Sequence, residues 1–378
     1  MGHAGRLPTE RLSSHLWAAA IVTLATVLVV WSLSSPAVVA VDAADSEFSA
    51  ERAMEHVAVI AAEPHPMGSE AIGAVRGYID EQLSGLGVET EHQARTVRNP
   101  FGAGELVSIV NVIARIPGRA STGTVLLMAH HDTVPETPGG NDNSVAVATL
   151  LETARVLTAG PVDNDIVLLF SDAEEPSGRA GVTGFLADPA HRDVQFVVNF
   201  EASGESGPSL LAEVSGGQWV LNEFAAAVSH PAAFSFVTAL AEIIGEVGTD
   251  FDPFRDAGYP GLHFAYLRGG PVYHTAADSA ERANSSSLQH HGSHAVGIVR
   301  HFGNLDLTAD RDDGRVVFTT IGRLVLGHPA PWTIVVTRAA LTLAAWHAAR
   351  RRDRLRSGGR AFAAGFAAVL AGPAVWLA

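Results

Sequence analysis

The chain of 378 residues has no cysteine and no lysine. With no thiol there is no disulfide framework, and any metal site has to be assembled from histidine and carboxylate side chains. With no lysine every basic side chain is an arginine, a bias that accompanies the richness in alanine and glycine and carries no function by itself. Positive charge is scarce. Against 40 acidic residues stand 25 basic ones, and the net charge of −15 excludes the basic surface that nucleic-acid binding needs. A serine nucleophile is missing too: Ser285, Ser286 and Ser287 stand in a polar helix start, not in a Gly-x-Ser-x-Gly turn. What the chain does have is 47% apolar residues, enough for a large core and more than one structural region.

The two ends differ from the middle. Residues 16–33 form an uncharged apolar run preceded by Arg6 and Arg11, and a helix over that run covers most of the ~30 Å hydrocarbon core of a bilayer. Ala37 and Ala40 would suit a cleaved signal peptide, but the run is long for one, and Trp17 and Trp31 sit near its ends as interfacial anchors do. Residues 330–349 are apolar again, followed by Arg350, Arg351, Arg352, Arg354, Arg356 and Arg360 and a last apolar stretch, 361–378. By the positive-inside rule the arginine loop and the N-terminus are cytoplasmic and residues 42–325 lie outside. Arg338 and His347 keep open a pair of amphipathic surface helices at 330–378 instead. A chain that stops inside a span implies further spans beyond it. The expected organisation is therefore a cytoplasmic N-terminus and anchor at 1–41, a catalytic domain at 42–310, and a C-terminal membrane region at 311–378.

In the middle, helical spacing over 42–61 gives way to a proline-broken loop at 63–69, a second helix ending at Gly85 and Gly87, and a strand near 88–93. Strand and helix then alternate: strands at 106–116, 124–130, 165–172 and 194–201, and a helix at 144–160. This predicts an α/β fold, a mainly parallel mixed sheet with helices on both faces. Ligands of such sheets bind beyond the carboxyl ends of the strands. His130 ends one apolar strand, Glu174 and Glu175 follow the next, and Glu201 ends a third.

Those placements suggest a pair of divalent metals, which need a bridging carboxylate, further ligands for each ion and room for water. Asp142, delivered by the tight Pro138-Gly139-Gly140 loop ahead of a helix, is the natural bridge. His130 and Glu201 would complete one ion, Glu175 and His274 the other. Glu174 points differently from its neighbour and is free to act as general base. Asp132 is placed to accept the imidazole N–H of His130. His131, the competing ligand, points the other way along the strand and reads as packing or solvent-facing. His290, His291 and His294 read as a solvated helical face.

The runs AHHDTV, PGGNDNS, LLFSDAEEPSG, VVNFEASG, TDFDPFRDAGYPG and VYHTAADSAER, with the PHPMGS loop, occur in this order across residues 50–305. Together they resemble the zinc exopeptidases of metallopeptidase family twenty-eight, the aminopeptidase Y-like group, and most of all its membrane-bound branch of endoplasmic reticulum metallopeptidases. The resemblance implies a zinc exopeptidase fold of the phosphorylase/hydrolase-like kind with transmembrane helices at both ends. It also implies zinc, two ions per chain with one, or cobalt or manganese, as alternatives, and a peptide substrate, on the extracytoplasmic side of a multi-pass membrane protein in contact with lipid. The ligands His130, Asp142, Glu175, Glu201 and His274 carry over, with Glu174 as the base of metal-assisted amide hydrolysis. Many soluble relatives have aspartate where Glu201 stands. Asp250 and Arg255 match a segment near the substrate, although either would serve equally in a structural ion pair. Tyr273 is placed to donate to an oxyanion. Two other functions fit the same residues: single-zinc cyclisation of N-terminal glutamine, and a non-catalytic membrane receptor or scaffold.

Overall fold

In the computed structural model, residues 8–99, 105–175, 178–237, 240, 248–309 and 314–350 are described. The arginines at 351–360 and the apolar stretch 361–378 lie outside them. The first helix, α1 (Pro8–Ser32), carries the N-terminal apolar run. Next come α2 (Ala50–Ile60), capped by Ser49, whose hydroxyl accepts from the Arg52 N–H, and α3 (Glu70–Gly85), capped in the same way by Ser69. The proline-broken loop between them is where the sequence put it.

Seven strands form one sheet: β1 (Thr90–Arg98), β2 (Leu106–Ile116), β3 (Thr124–His130), β4 (Asp165–Ser171), β5 (Val194–Ala202), β6 (Leu210–Ser215) and β7 (Gly261–Tyr266). Their order is β1-β2-β4-β3-β5-β7-β6. The four central strands β4, β3, β5 and β7 run parallel, whereas β1, β2 and β6 join antiparallel at the edges. The expected mixed, mainly parallel sheet is thus parallel at its centre. β3 is buried along its whole length and β4 from Ile166 on, which is why both read as unbroken apolar runs rather than alternating ones.

Helix α4 (Ser144–Ala159) crosses between β3 and β4, and nearly all of its side chains are buried. Shorter helices α5 (Ala180–Leu186) and α6 (Gly217–Ala227) follow β4 and β6. The helix Ser285–Phe302 packs on α4, α2 and α6. The parallel register sets His130 beside Ser171 and Met128 beside Asn199. The carboxyl ends of β3, β4 and β5 are therefore immediate neighbours.

Residues 316–329, assigned from sequence to the C-terminal membrane region, form a separate hairpin, β8 (Val316–Ile321) and β9 (Leu324–Pro329). A helix, Trp332–Arg350, continues from it. Among the described residues no helix is long and apolar enough to cross a membrane. Even so, α1 turns Ile21, Val22, Leu24, Val27, Val29 and Val30 outward, each more than half exposed.

Candidate metal centre

Two histidines and three carboxylates converge above the strand ends. Ligand atoms of His130, Asp142 and Glu201 lie within 4.8 Å of one another, as do those of Asp142, Glu175 and His274. The carboxylate of Asp142 belongs to both groups and divides between them. Its Oδ1 faces His130 Nε2 at 3.2 Å and its Oδ2 faces His274 Nε2 at 3.3 Å. Glu201 Oε2 is 3.3 Å from His130 Nε2, and Glu175 Oε2 is 2.9 Å from His274 Nε2. Atoms held ~2.0–2.1 Å from one tetrahedral zinc stand about 3.3 Å apart, so both groups fit the edges of such a site. Asp142 Oδ2 is also buried without a hydrogen bond, a polar atom that a cation would satisfy.

The surroundings hold each donor in place. His130 Nδ1 donates to the backbone carbonyl of Asp132 at 3.0 Å, leaving the Nε2 lone pair toward the cluster. The Asp132 carboxylate is farther from that nitrogen, at 3.6 Å. Its two oxygens instead accept the backbone N–H of Glu174 (3.1 Å) and of Glu175 (3.2 Å). The expected tautomer is thus set by the main chain of Asp132, and its side chain fixes the glutamate pair. Ala173, just before that pair, has φ 59°, and His274 has φ 55°. Left-handed conformations are unfavourable for residues with a Cβ and persist where the surroundings dictate them. Asn143, joined to Asp142 by a cis peptide, donates to Glu201 Oε2 at 2.9 Å.

Asp278 has a role that sequence reasoning did not assign. One of its oxygens accepts from the Asn141 N–H and side-chain amide, both at 2.8 Å, and the other from the Asp142 N–H at 3.0 Å. Asp278 lies four residues after His274, so it ties the loop bearing His274 to the loop bearing Asp142. The Tyr266 hydroxyl donates to Asn141 Oδ1 at 2.8 Å and closes the bracket.

Negative charge is concentrated around the cluster. Burial raises the Glu174 pKa well above the usual range, helped by Glu201, Asp250 and Glu175 and opposed by His130. Burial and Asp142 push Glu175 up to about 7. Burial works against the charged form of His274, but the facing carboxylates of Asp142 and Glu175 push it up to about 10. Tyr273 is half-buried and stacks on His274 with ring centres 3.7 Å apart. Burial and the neighbouring carboxylates keep its phenol protonated.

The remaining sequence candidates separate clearly. Asp250 is fully buried, accepts from the Ser171 hydroxyl, and has its other oxygen without a hydrogen bond; burial pushes its pKa up to about 7. Arg255 is not brought into the cluster. It pairs with Glu213 (3.0 Å), Asp252 (2.8 Å) and Asp256 (2.9 Å), the structural alternative left open by the sequence. His131 is buried, not solvent-facing. It donates to the Ser171 carbonyl at 2.7 Å and accepts from Arg76 Nε at 3.0 Å, and burial with the Arg76 charge lowers its pKa to about 3.

The solvated face expected for His290, His291 and His294 is a correction: all three are fully buried. His290 and His294 both donate to the His230 carbonyl, and His291 Nε2 donates to the Glu201 carbonyl at 3.2 Å. The signal was present in the sequence. His291, with Leu288, Ala295, Ile298 and Phe302, recurs at three- and four-residue spacing along one apolar helix face.

Known proteins resemble the chain in sequence and in fold. The model of Peptidase family M28 matches residues 111–299. Endoplasmic reticulum metallopeptidase 1 of Mus musculus is 29% identical over 237 residues, covering 59% of this chain and 26% of that protein. A vacuolar membrane protease of Candida dubliniensis is 26% identical over 296 residues, covering 75% and 31%. The chain thus spans roughly a quarter to a third of the length of these relatives. Among solved structures, an aminopeptidase from Aneurinibacillus sp. strain AM-1 superposes with a TM-score of 0.55 at 15% identity, covering 72% of this chain and 96% of that one. The glutaminyl cyclase of Tannerella forsythia gives 0.55 at 18%, covering 67% and 99%. At such identities these two likenesses speak for the fold.

Proposed function

The chain belongs to peptidase family M28, and from that premise we propose that it is a membrane-associated, zinc-dependent exopeptidase that releases residues from the N-termini of peptides. The observation that carries this reading is the division of the Asp142 carboxylate between two complete ligand groups, His130 with Glu201 and Glu175 with His274. Two zinc ions are read there, and when bound they supply acidified water and a polarised scissile carbonyl.

The protein's own residues do the rest. Glu174, whose pKa burial raises, takes a proton at its carboxylate and returns it to the leaving amine. His130 and His274 would hold the ions through Nε2, the first with its tautomer fixed by the Asp132 carbonyl. Tyr273, protonated and stacked on His274, is a hydrogen-bond donor at the edge of the site. Asp250 lies close enough to raise the Glu174 pKa and belongs with the residues that shape the substrate end. Arg255, already committed to three carboxylates, is left out.

The membrane reading rests on the outward apolar side chains of α1 and of the helix Trp332–Arg350, and on the name of the vacuolar relative. By the arginine asymmetry of the sequence, the catalytic domain faces away from the cytoplasm.

The test is the zinc content of the purified chain together with its products from a peptide mixture. Free amino acids released with two zinc ions per chain support the proposal. Pyroglutamyl peptides with one zinc would replace it by the cyclase reading, in line with the cyclase neighbours. A zinc-loaded chain without turnover would leave a receptor or scaffold.

A further inference from the structure

The hairpin of β8 and β9 inverts the usual relation between strand faces and solvent. Cross-strand partners share a face, and the pairs Ile321–Leu324 and Thr319–Leu326 point away from the domain. Ile321 is 45% exposed, Leu324 61% and Leu326 42%. The opposite face, with Phe318, Thr320 and Val325, packs against the domain. An isolated hairpin on a protein in water keeps its polar residues outward. Here the outward face carries three large aliphatic side chains around Thr319, with the Val317–His328 pair at the end away from the turn. Phe236, 52% exposed, lies beside it, because Phe234 bridges to Thr319.

This face is continuous with the apolar end of α1. The Gly322 N–H at the hairpin turn donates to Ser32 Oγ at 2.7 Å. Arg323 turns back to donate to Ser34, at 3.2 Å to its carbonyl and 2.9 Å to its hydroxyl, which removes the one charge of the turn from the outward side. Gly322, at φ +64°, lies so close to Trp31 that a Cβ would stand 2.7 Å from the indole ring. Just after β9, Trp332, 58% exposed, opens the second apolar helix.

What covers these surfaces can be told from their distribution. A protein partner buries one stripe of a helix, whereas α1 exposes Ile21, Val22, Leu24, Val27 and Val30, positions that at 3.6 residues per turn are spread around its whole circumference. Such a helix fits an apolar medium on all sides. Trp31 and Trp332, next to the hairpin, are the ring type found at the headgroup level.

We propose that the outward face of the β8–β9 hairpin, centred on Ile321, Leu324 and Leu326, seats in the interfacial layer of a lipid bilayer. The inference rests on the reading of α1 as membrane-embedded. Its consequence is that the catalytic domain does not swivel on a tether: the turn is bonded to the end of α1 and holds the domain at one attitude to the membrane.

Because the chain has no native cysteine, single-cysteine labelling tests this without background. Leu24→Cys on α1, Leu324→Cys on the hairpin and Glu91→Cys on the exposed face of β1 are made in the full chain, each labelled with a nitroxide, in phosphatidylcholine vesicles. Collision with dissolved oxygen is compared with collision with a water-soluble nickel chelate. The expected result is that labels at 24 and 324 favour oxygen and the label at 91 favours nickel. If 324 behaves like 91 while 24 favours oxygen, the hairpin proposal is overturned and the membrane reading stands. If 324 is shielded from both reagents and shows label–label broadening, a second copy covers the face and the proposal is likewise overturned. If 24 also favours nickel, the membrane reading of α1 fails and takes the hairpin proposal with it.

Discussion

The two halves of the metal cluster share Asp142 and little else. One half, His130 with Glu201, is built on the ends of neighbouring parallel strands and is almost wholly buried, 1% and 6% exposed. The other, Glu175 with His274, is carried by loops, and the His274 side chain is 37% exposed. Strand ends are placed by the sheet's hydrogen-bond register, and loop residues by whatever local contacts hold them. In this protein those contacts are the Asp132 carboxylate under the glutamate pair and the Asp278 carboxylate under the loop of Asp142. The difference makes the cluster asymmetric, with a deep half on strand ends and an open half on loops.

The largest effect expected is on the chemistry common to both halves. Glu174→Gln should lower turnover by about 10²- to 10⁴-fold with the zinc content unchanged. Unaltered turnover would remove Glu174 from the mechanism and with it the division of labour between the glutamates. Next, the two histidines should separate the halves. His130→Ala should lose the ion that resists dialysis against a chelator, whereas His274→Ala should lose only the readily exchanged one. Equal losses in the two variants would erase the asymmetry.

Asp278→Asn should act on the open half through the backbone. An amide nitrogen cannot accept the N–H groups that the carboxylate now holds, and a 10- to 100-fold weaker metal affinity is expected. Competition with a chromophoric chelator measures it. If only thermal stability fell, Asp278 would be a fold residue alone.

The smallest effect is on stability without metal. His274 is raised to about 10 and Glu175 to about 7, both above their unfolded values, so the folded state holds more protons than the unfolded one. Metal-free protein should therefore lose stability as pH rises, first between about 4.5 and 7 and then between about 6.5 and 10. Urea unfolding across that range reads the slope, and zinc should flatten it. A metal-free stability that rises with pH there would contradict the assigned environment of the open half.

How much could be read beforehand depended on the kind of signal. β3 and β4 were legible because a strand buried on both faces has no polar residue to interrupt it, and their ends marked His130, Glu174 and Glu175. Asp278 was not singled out, because a carboxylate that accepts backbone N–H groups looks in sequence like any acid in a loop. The histidines at 290, 291 and 294 read as a solvated face because no strand end lies near them, yet the helix that carries them is largely buried. A neutral imidazole is easily buried when each nitrogen finds a partner, as His291 does on Ser209 and Glu201. The β8–β9 hairpin was missed because its short apolar stretches lie next to a longer apolar run and merged with it.

By itself the sequence determined the chemistry available to this protein: no thiol, no lysine, and histidines and carboxylates standing at the ends of apolar runs. It also determined a largely parallel sheet, because the period of burial is written into the order of side chains. Only the tertiary structure decided that the Asp142 oxygens part company between two histidines, that Arg255 is spent on a structural ion group, and that Asp278 braces the site. Those are relations between loops distant in sequence. They depend on where the packed sheet and helices leave room, and no local pattern of residues encodes that.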